Sequence, residues 1–383
     1  MKKVCIIGAG LSGLSCAHYL KNKNYRVKIF EKSNFPGGRV YSEKIKGYTC
    51  DIGFQVLLNN YKEVNSLNIY KKLKMNYFNS GAEIYFNKKR YEVYNPLYHP
   101  IKFLGSDFLK VFTMRDIYKL IIFILFNRVS NKKTGPYIKK LFSNKLVKLF
   151  FYPFFKGVFL SENLDNDISF FKKLLIKFSM GRAGLPAEGM MQLPKEIIKK
   201  SNLKINFNKH LKKIENKQAF FEDGTYEKFD KIVLALPLSE INKITKNQVK
   251  IKYNSNMTTY FASSKKVMGK SLFLIPEKQY KINSIQCLSN VCSGFSKKKK
   301  HLYSVSSLDF EATEKELKLE FQKITKIPTA DIETIKTYKI KKALPRQTVQ
   351  IEDSSCIYFC GDWNTEPSID GAIKSGRKVA EKL

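Results

Sequence analysis

The stretch "KVCIIGAGLSGLSCAHYLKNKNYRVKIFEK", residues 3–32, decides how this chain folds. Val4 to Ile7 is a short apolar run, and Gly8, Gly10 and Gly13 follow with the spacing GxGxxG. A helical segment then leads to a second apolar run, Arg26 to Phe30, which ends at the acid Glu31. Each part has a physical task. Gly8 permits a tight turn, Gly10 lets a pyrophosphate approach the backbone at a helix N-terminus, and Gly13 lets helix and strand pack closely. An acid at position 31 is placed to accept hydrogen bonds from ribose hydroxyls, which suits an unphosphorylated ribose and argues against NADP. The motif predicts a dinucleotide site comprising Gly8, Ala9, Gly10, Leu11, Ser12, Gly13, Glu31 and Lys32, and leaves NAD and FAD open.

Two further features extend it. Gly37, Gly38 and Arg39 form a "GGR" turn, in which glycines clear a backbone path and a guanidinium can hold a phosphate. The chain closes on "GDWNTEPSIDGAIKSGRKVAEKL", where Ala372, Gly376 and Ala380 recur every four residues and make a smooth ridge on a helix. Such a ridge implies a close approach, which this reading gives to a bound cofactor.

The glycine fingerprint, Glu31, the "GGR" turn and the closing "GD…SIDGAIKSG" together resemble the flavin-dependent amine oxidase and phytoene desaturase superfamily. "AGLPAEGMMQLPKEI" from Ala183, the paired strands leading to "KIVLALP" and "KALPRQ" from Lys342 extend the likeness over most of the chain. The resemblance implies FAD, held by the first and last segments of one chain. Gly38 and Arg39 would join the ADP half, and Leu211 would offer backbone groups to the adenine. Gly53 and Phe54 would lie near the flavin, Gly361 and Asp362 would meet the pyrophosphate and ribityl chain, and the turn Ser368, Ile369, Asp370, Gly371, Ala372 would bring a helix N-terminus to flavin N1 and O2. Negative charge gathers there on reduction, and a helix N-terminus carries partial positive charge and free N–H donors.

The implied fold is α/β, a Rossmann-like FAD-binding domain of the two-segment, GxGxxG type with an inserted α+β substrate domain. Residues 1–75, 181–245 and 341–383 would form the first, and 76–180 with 246–340 the second. Asp223-Gly224 reads as a hairpin turn and Lys231 to Ala235 as a buried strand. In the second domain, Thr113 and Asp116 make a capping box ahead of an apolar run, Leu120 to Phe126, followed by Arg128, Lys132 and Lys133. That run is too short to cross a bilayer. It reads either as a core helix buried nearly all round or as an anchor dipping into an anionic leaflet. The aromatic stretch "LFFYPFFKGVFL", Leu149 to Leu160, is placed to line a tunnel for an apolar substrate.

The 383 residues carry a net charge of +36, but only eight of 69 basic residues are arginine. Dispersed lysine with abundant Asn, Ile, Phe and Tyr is what AT-rich codons encode, and no RNA- or DNA-reading motif accompanies it, so a nucleic-acid partner is not expected. The run Lys297 to Lys300 reads as an exposed loop. Seven cysteines in no metal or redox spacing read as buried apolar groups in a reducing compartment, and no metal site is expected. The expected location is cytoplasmic, with a membrane-associated state at the cytoplasmic face left open.

The expected activity is FAD-dependent removal of a hydride from a small hydrophobic substrate to flavin N5, as in isoprenoid or carotenoid desaturation. Amine oxidation, a protoporphyrinogen-oxidase-like reaction and a non-redox flavin-dependent isomerisation stay open as alternatives. Trp363 is a candidate aromatic face toward the flavin. None of the four histidines has a context that makes it a catalytic base, and the oligomeric state is unassigned.

Overall fold

The computed structural model describes residues 1–21, 23–126, 129–245 and 248–383, so Arg128, read above as a basic flank, lies outside the described residues. Two sheets organise the chain. The first has five parallel strands in the order Ile205–Asn206, Tyr25–Phe30, Lys2–Ile7, Lys231–Leu234 and Ile357–Phe359. Val4, Ile6, Val233 and Leu234 are fully covered, as expected of central parallel strands with both faces packed. Chain order reverses between Lys2–Ile7 and Lys231–Leu234, which makes a switch point where ligands bind open α/β sheets, outside the carboxyl ends of the strands. The Asp223-Gly224 turn joins strands Gln218–Phe221 and Tyr226–Lys228, with Gly224 at φ +82°.

The second sheet has seven strands in the order Glu333–Pro345, Tyr253–Ser263, His301–Ser307, Ile282–Cys287, Leu272–Leu274, Gly81–Phe86 and Lys89–Tyr94. Its pairs are antiparallel except Leu272–Leu274 with Gly81–Phe86. One face packs on the Glu314–Thr325 helix, burying Leu317, Phe321 and Ile324 against Phe261 and Ile285. The Leu149–Leu160 stretch forms one π-helical turn, Val147–Phe151, continued by the helix Tyr152–Phe159. Phe155 packs on Phe171 of the Ile168–Met180 helix with ring centroids 4.4 Å apart.

The helix Met114–Leu125 corrects one expectation. Its capping box forms, but only Asp116 and Phe123 are buried, so it is not a core helix apolar all round. Its outer face presents Met114, Tyr118, Ile121 and Leu125, and the run ends on Phe126, which is 75% exposed. An earlier helix, Pro100–Leu104, presents Ile101 and Leu104, 85% and 84% exposed. Among the described residues, no helix is long and apolar enough to cross a membrane.

The small-residue ridge of the last helix, Ile369–Lys382, is also explained differently. A Cβ at Gly376 would stand 2.8 Å from Cys16 N and closer still to Ser12 O, so the surface that covers this part of the ridge is the first helix, Leu11–Leu20. Ser15 Oγ donates to Ile373 O at 2.8 Å across the same contact. The close approach at Gly376 is therefore helix on helix, while Ala372, one turn earlier, faces a cavity. Lys297 to Lys300 lie in an exposed bend. The cysteines are unpaired, all buried except the half-buried Cys356.

Candidate functional site

A cavity of about 950 Å³ opens over the carboxyl ends of the parallel strands and runs to the aromatic helix. At its first end, Gly8 has φ +103°, and a side chain there would strike Ala235 O just past the end of the neighbouring strand. Gly13 backs against Gly8 O and Ala235 Cβ, the close helix–strand contact its position requires. Gly10 is the N-cap of the first helix, which has no side-chain cap and no acid in its first turn, and the space where a Gly10 Cβ would stand is open. Other helices, such as Thr134–Leu141 and Gln192–Ser201, also lack a side-chain cap, but the first helix starts at a residue that lines the cavity. An uncapped helix N-terminus aimed into a cavity suits an anion such as a pyrophosphate.

Glu31 is buried at the end of the second strand, and its carboxylate accepts from Ala9 N at 2.7 Å and Ser33 N at 2.9 Å. Those bonds fix the carboxylate at the rim, and each oxygen keeps lone-pair capacity toward the cavity. Lys209 N donates to Glu31 O at 2.9 Å, which brings His210 and Leu211 to the same wall. Gly37 N donates to Ala9 O at 2.8 Å and seats the "GGR" turn over the first helix. Sequence reading passed over Gln55, whose side-chain amide donates to Arg39 O at 2.8 Å and Ile52 O at 3.0 Å and holds that turn.

The two ends of the chain meet at Arg39. Its guanidinium donates to Asp362 Oδ1 at 2.6 Å and to Ala343 O at 2.8 Å. Gly361 leaves no room for a side chain against the Trp363 indole, and its N–H donates to Ser375 Oγ at 3.0 Å. Ser368 caps the last helix by accepting from Gly371 N at 2.9 Å, and Ser368, Ile369 and Ala372 line the cavity.

Sixteen of the 20 sequence-chosen residues line this one cavity: Gly8, Gly10, Leu11, Ser12, Glu31, Lys32, Gly38, Arg39, Gly53, Phe54, Leu211, Gly361, Asp362, Ser368, Ile369 and Ala372. Ala9 and Gly13 sit behind the wall. Asp370 turns away from it, accepting from Glu63 N at 2.9 Å and pairing with Lys177 Nζ at 2.8 Å. Gly371 backs against Glu366 O. Trp363 is 1% exposed, with its indole N–H donating to Leu236 O at 3.0 Å, and it packs in the core beneath the site while also lining the cavity. His99 accepts from Ser80 N at 3.0 Å and His210 pairs with Glu222 at 2.9 Å. Beyond the glycine end, Phe150, Phe154 and Phe178 form an aromatic wall, with Phe150 and Phe154 stacked at 5.6 Å. Asn256, Asn283, Ser284 and Ser306 on the second sheet also line the space, and no sequence motif marks them.

Comparison with known proteins agrees with this geometry. Residues 11–267 match the family model for flavin containing amine oxidoreductases. A 1-hydroxycarotenoid 3,4-desaturase from Flavobacterium sp. (strain P99-3) is 45% identical over 53 residues, 14% of this chain and 11% of that protein. A coproporphyrinogen III oxidase from Staphylococcus aureus (strain NCTC 8325 / PS 47) is 50% identical over 54 residues, 14% of this chain and 12% of that protein. These curated relatives are thus matched over about a tenth of their length. In fold, the chain is similar to an oxidoreductase from Methanosarcina mazei, with a TM-score of 0.78 at 18% identity over 99% of this chain and 100% of that one. The chain belongs to the flavin containing amine oxidoreductases, a family of FAD-dependent oxidoreductases, and its cofactor is FAD.

Proposed function

We propose that this protein oxidises an apolar, isoprenoid-like substrate, with FAD seated between the first and last segments. The observation that carries this reading is that one cavity joins the uncapped, glycine-lined helix start to a wall of phenylalanine rings. Bound FAD supplies a hydride acceptor at N5. The residues of this chain bind and orient. The first helix N-terminus, with Gly8 and Gly10, takes the pyrophosphate, Glu31 the ribose, Leu211 the adenine, and Arg39 with Asp362 closes over the phosphates and ribityl chain. The start of the last helix, at Ser368 to Ala372, places N–H dipoles toward the flavin edge that becomes negative. The aromatic wall excludes water and receives the apolar chain.

In this reading the five-stranded sheet belongs to an FAD domain made of residues 1–75, 181–245 and 341–383. The seven-stranded sheet belongs to a substrate domain inserted as 76–180 and 246–340, with the strand Glu333–Pro345 bridging the two.

The exposed apolar helices complete the reading, with an anionic lipid surface as their partner. Phe108, Phe112, Ile117 and Leu120 line the cavity along the helices Phe108–Val111 and Met114–Leu125, whose outer faces present Leu109, Tyr118 and Leu125, and the helix Pro100–Leu104 before them adds Ile101 and Leu104. Lys102, Lys110, Arg115, Lys132 and Lys133 flank them, exposed. Apolar burial between basic flanks is how a helix lies in an anionic interface, and a lipid-dissolved substrate would then enter through that wall. The test of function is anaerobic titration of the holoprotein with isoprenoid hydrocarbons, porphyrinogens and amines. Bleaching of the flavin band by isoprenoids alone supports the reading; bleaching by an amine or a porphyrinogen alone overturns the substrate class, and turnover without net electron transfer would mark an isomerase.

A further inference from the structure

The cavity has a polar patch where an apolar tunnel needs none. Between the strands Ile282–Cys287 and His301–Ser307 the register slips: Ile282 lies opposite Ser307, and Ser284 lies opposite Ser306. Ile282 and Ile285 point into the core on the far face, so the bulge turns Asn283 and Ser284 together toward the cavity. Bulges of this kind re-aim side chains beside functional sites. Asn283 is 4% exposed and sits against the aromatic helix, where its Nδ2 donates to Pro153 O at 3.4 Å. A carbonyl can only accept, so the amide nitrogen must face Pro153 and Oδ1 must face the other way. Asn283 Oδ1, Asn256 Oδ1 and Ser306 Oγ have no hydrogen-bond partner among the described residues. All three residues line the cavity and are more than nine-tenths buried. Buried acceptors are normally satisfied, and an unpaired one on a residue that lines a binding cavity is where a ligand can supply the donor.

We infer that Asn283, with Ser306 on the adjoining strand, is a specificity site that receives a neutral hydrogen-bond donor, a hydroxyl group, carried on an otherwise apolar substrate. The group is neutral because the charged residues lining the cavity, among them Glu31, Arg39, Lys342 and Asp362, stand outside this bulge and the aromatic helix. A protonated amine would find no carboxylate on either element. The inference rests on the reading of this cavity as the substrate site.

The test is calorimetric titration of the holoprotein with three probes of equal chain length: geranylgeraniol, its methyl ether and the parent hydrocarbon. Wild type is expected to bind the alcohol roughly tenfold or more tightly than the ether, which keeps the oxygen and loses the donor. Asn283→Leu, with flavin content and melting temperature checked, is expected to bind all three alike, and Ser306→Ala to narrow the preference. Equal binding of alcohol and ether by wild type overturns the inference without any variant, as does a preference that survives in both variants. Failure of all three probes to bind overturns the reading of the cavity and this inference with it.

Discussion

Replacing Gly376 by alanine tests whether the last helix holds the cofactor site together by packing on the first. A Cβ there would stand 2.8 Å from Cys16 N and closer to Ser12 O, whereas a carbon beside a carbonyl oxygen needs about 3.3 Å even in a favourable contact. Both neighbours are helix backbone, so no rotamer change relieves the clash and the helices must part by on the order of 1 Å. Overpacking costs about 1–3 kcal/mol. Rigid neighbours place this site toward the upper end, and the better helix propensity of alanine returns about 1 kcal/mol, leaving a net loss of about 2 kcal/mol. A domain of 150–250 residues loses roughly 2–4 °C in Tm per kcal/mol. Ser12 also lines the cavity, so the same displacement reaches the pyrophosphate end of the site. Thermal unfolding with and without FAD, and the FAD dissociation constant, would be measured beside Gly105→Ala, where an added Cβ meets nothing within 4 Å. A Gly376→Ala protein that keeps wild-type Tm and FAD affinity would refute the packing argument.

Three further outcomes are expected. Arg39→Met strands the buried Asp362 carboxylate and unties the two chain ends, so FAD affinity should fall by about 1.5–3 kcal/mol; an unchanged dissociation constant removes Arg39 from the site. Asp51 is buried, and burial pushes its carboxyl up to about 6, against opposing bonds from Ser42 and Met190 N. The folded state therefore holds a proton that the unfolded state has lost, so stability from this group is present below about pH 4, falls as pH rises to about 6 and then levels, a loss on the order of 3 kcal/mol. Asp51→Asn should flatten that slope and be the more stable protein at neutral pH, and superimposable denaturant profiles from pH 4 to 7 would count against it. Finally, wild type should sediment with anionic liposomes at low salt, and Ile101→Glu with Leu125→Glu should not; wild type left in the supernatant removes the lipid surface from the account.

Much of the nucleotide end was legible because its requirements are local. Gly8 is required by its φ of +103° and Gly13 by its contact with Gly8 O, both within one strand–turn–helix unit, and Glu31 follows at the end of the next strand. The last segment was harder to read, since a small residue looks the same whether a cofactor or a helix lies against it. Ala372 faces the cavity and Gly376 faces Cys16, four residues apart on one ridge. Asp370 is similar: an acid in a first helical turn suits the helix dipole, and its partners Glu63 N and Lys177 come from segments distant in sequence. The Met114–Leu125 helix was ambiguous because an apolar run meets a protein core and a lipid core with the same residues. Asn283 left no trace in sequence, since the bulge that turns it inward is a matter of register with the strand His301–Ser307.

In the proposed arrangement the two ends of this chain enclose FAD. Calorimetric titration of the purified full-length protein, stripped of bound nucleotide, with FAD and separately with NAD tests it directly. Saturable binding of one FAD per chain is expected, with a visible flavin band retained after gel filtration and no comparable binding of NAD. A protein that stays colourless after reconstitution, or that binds NAD as tightly as FAD, would contradict it.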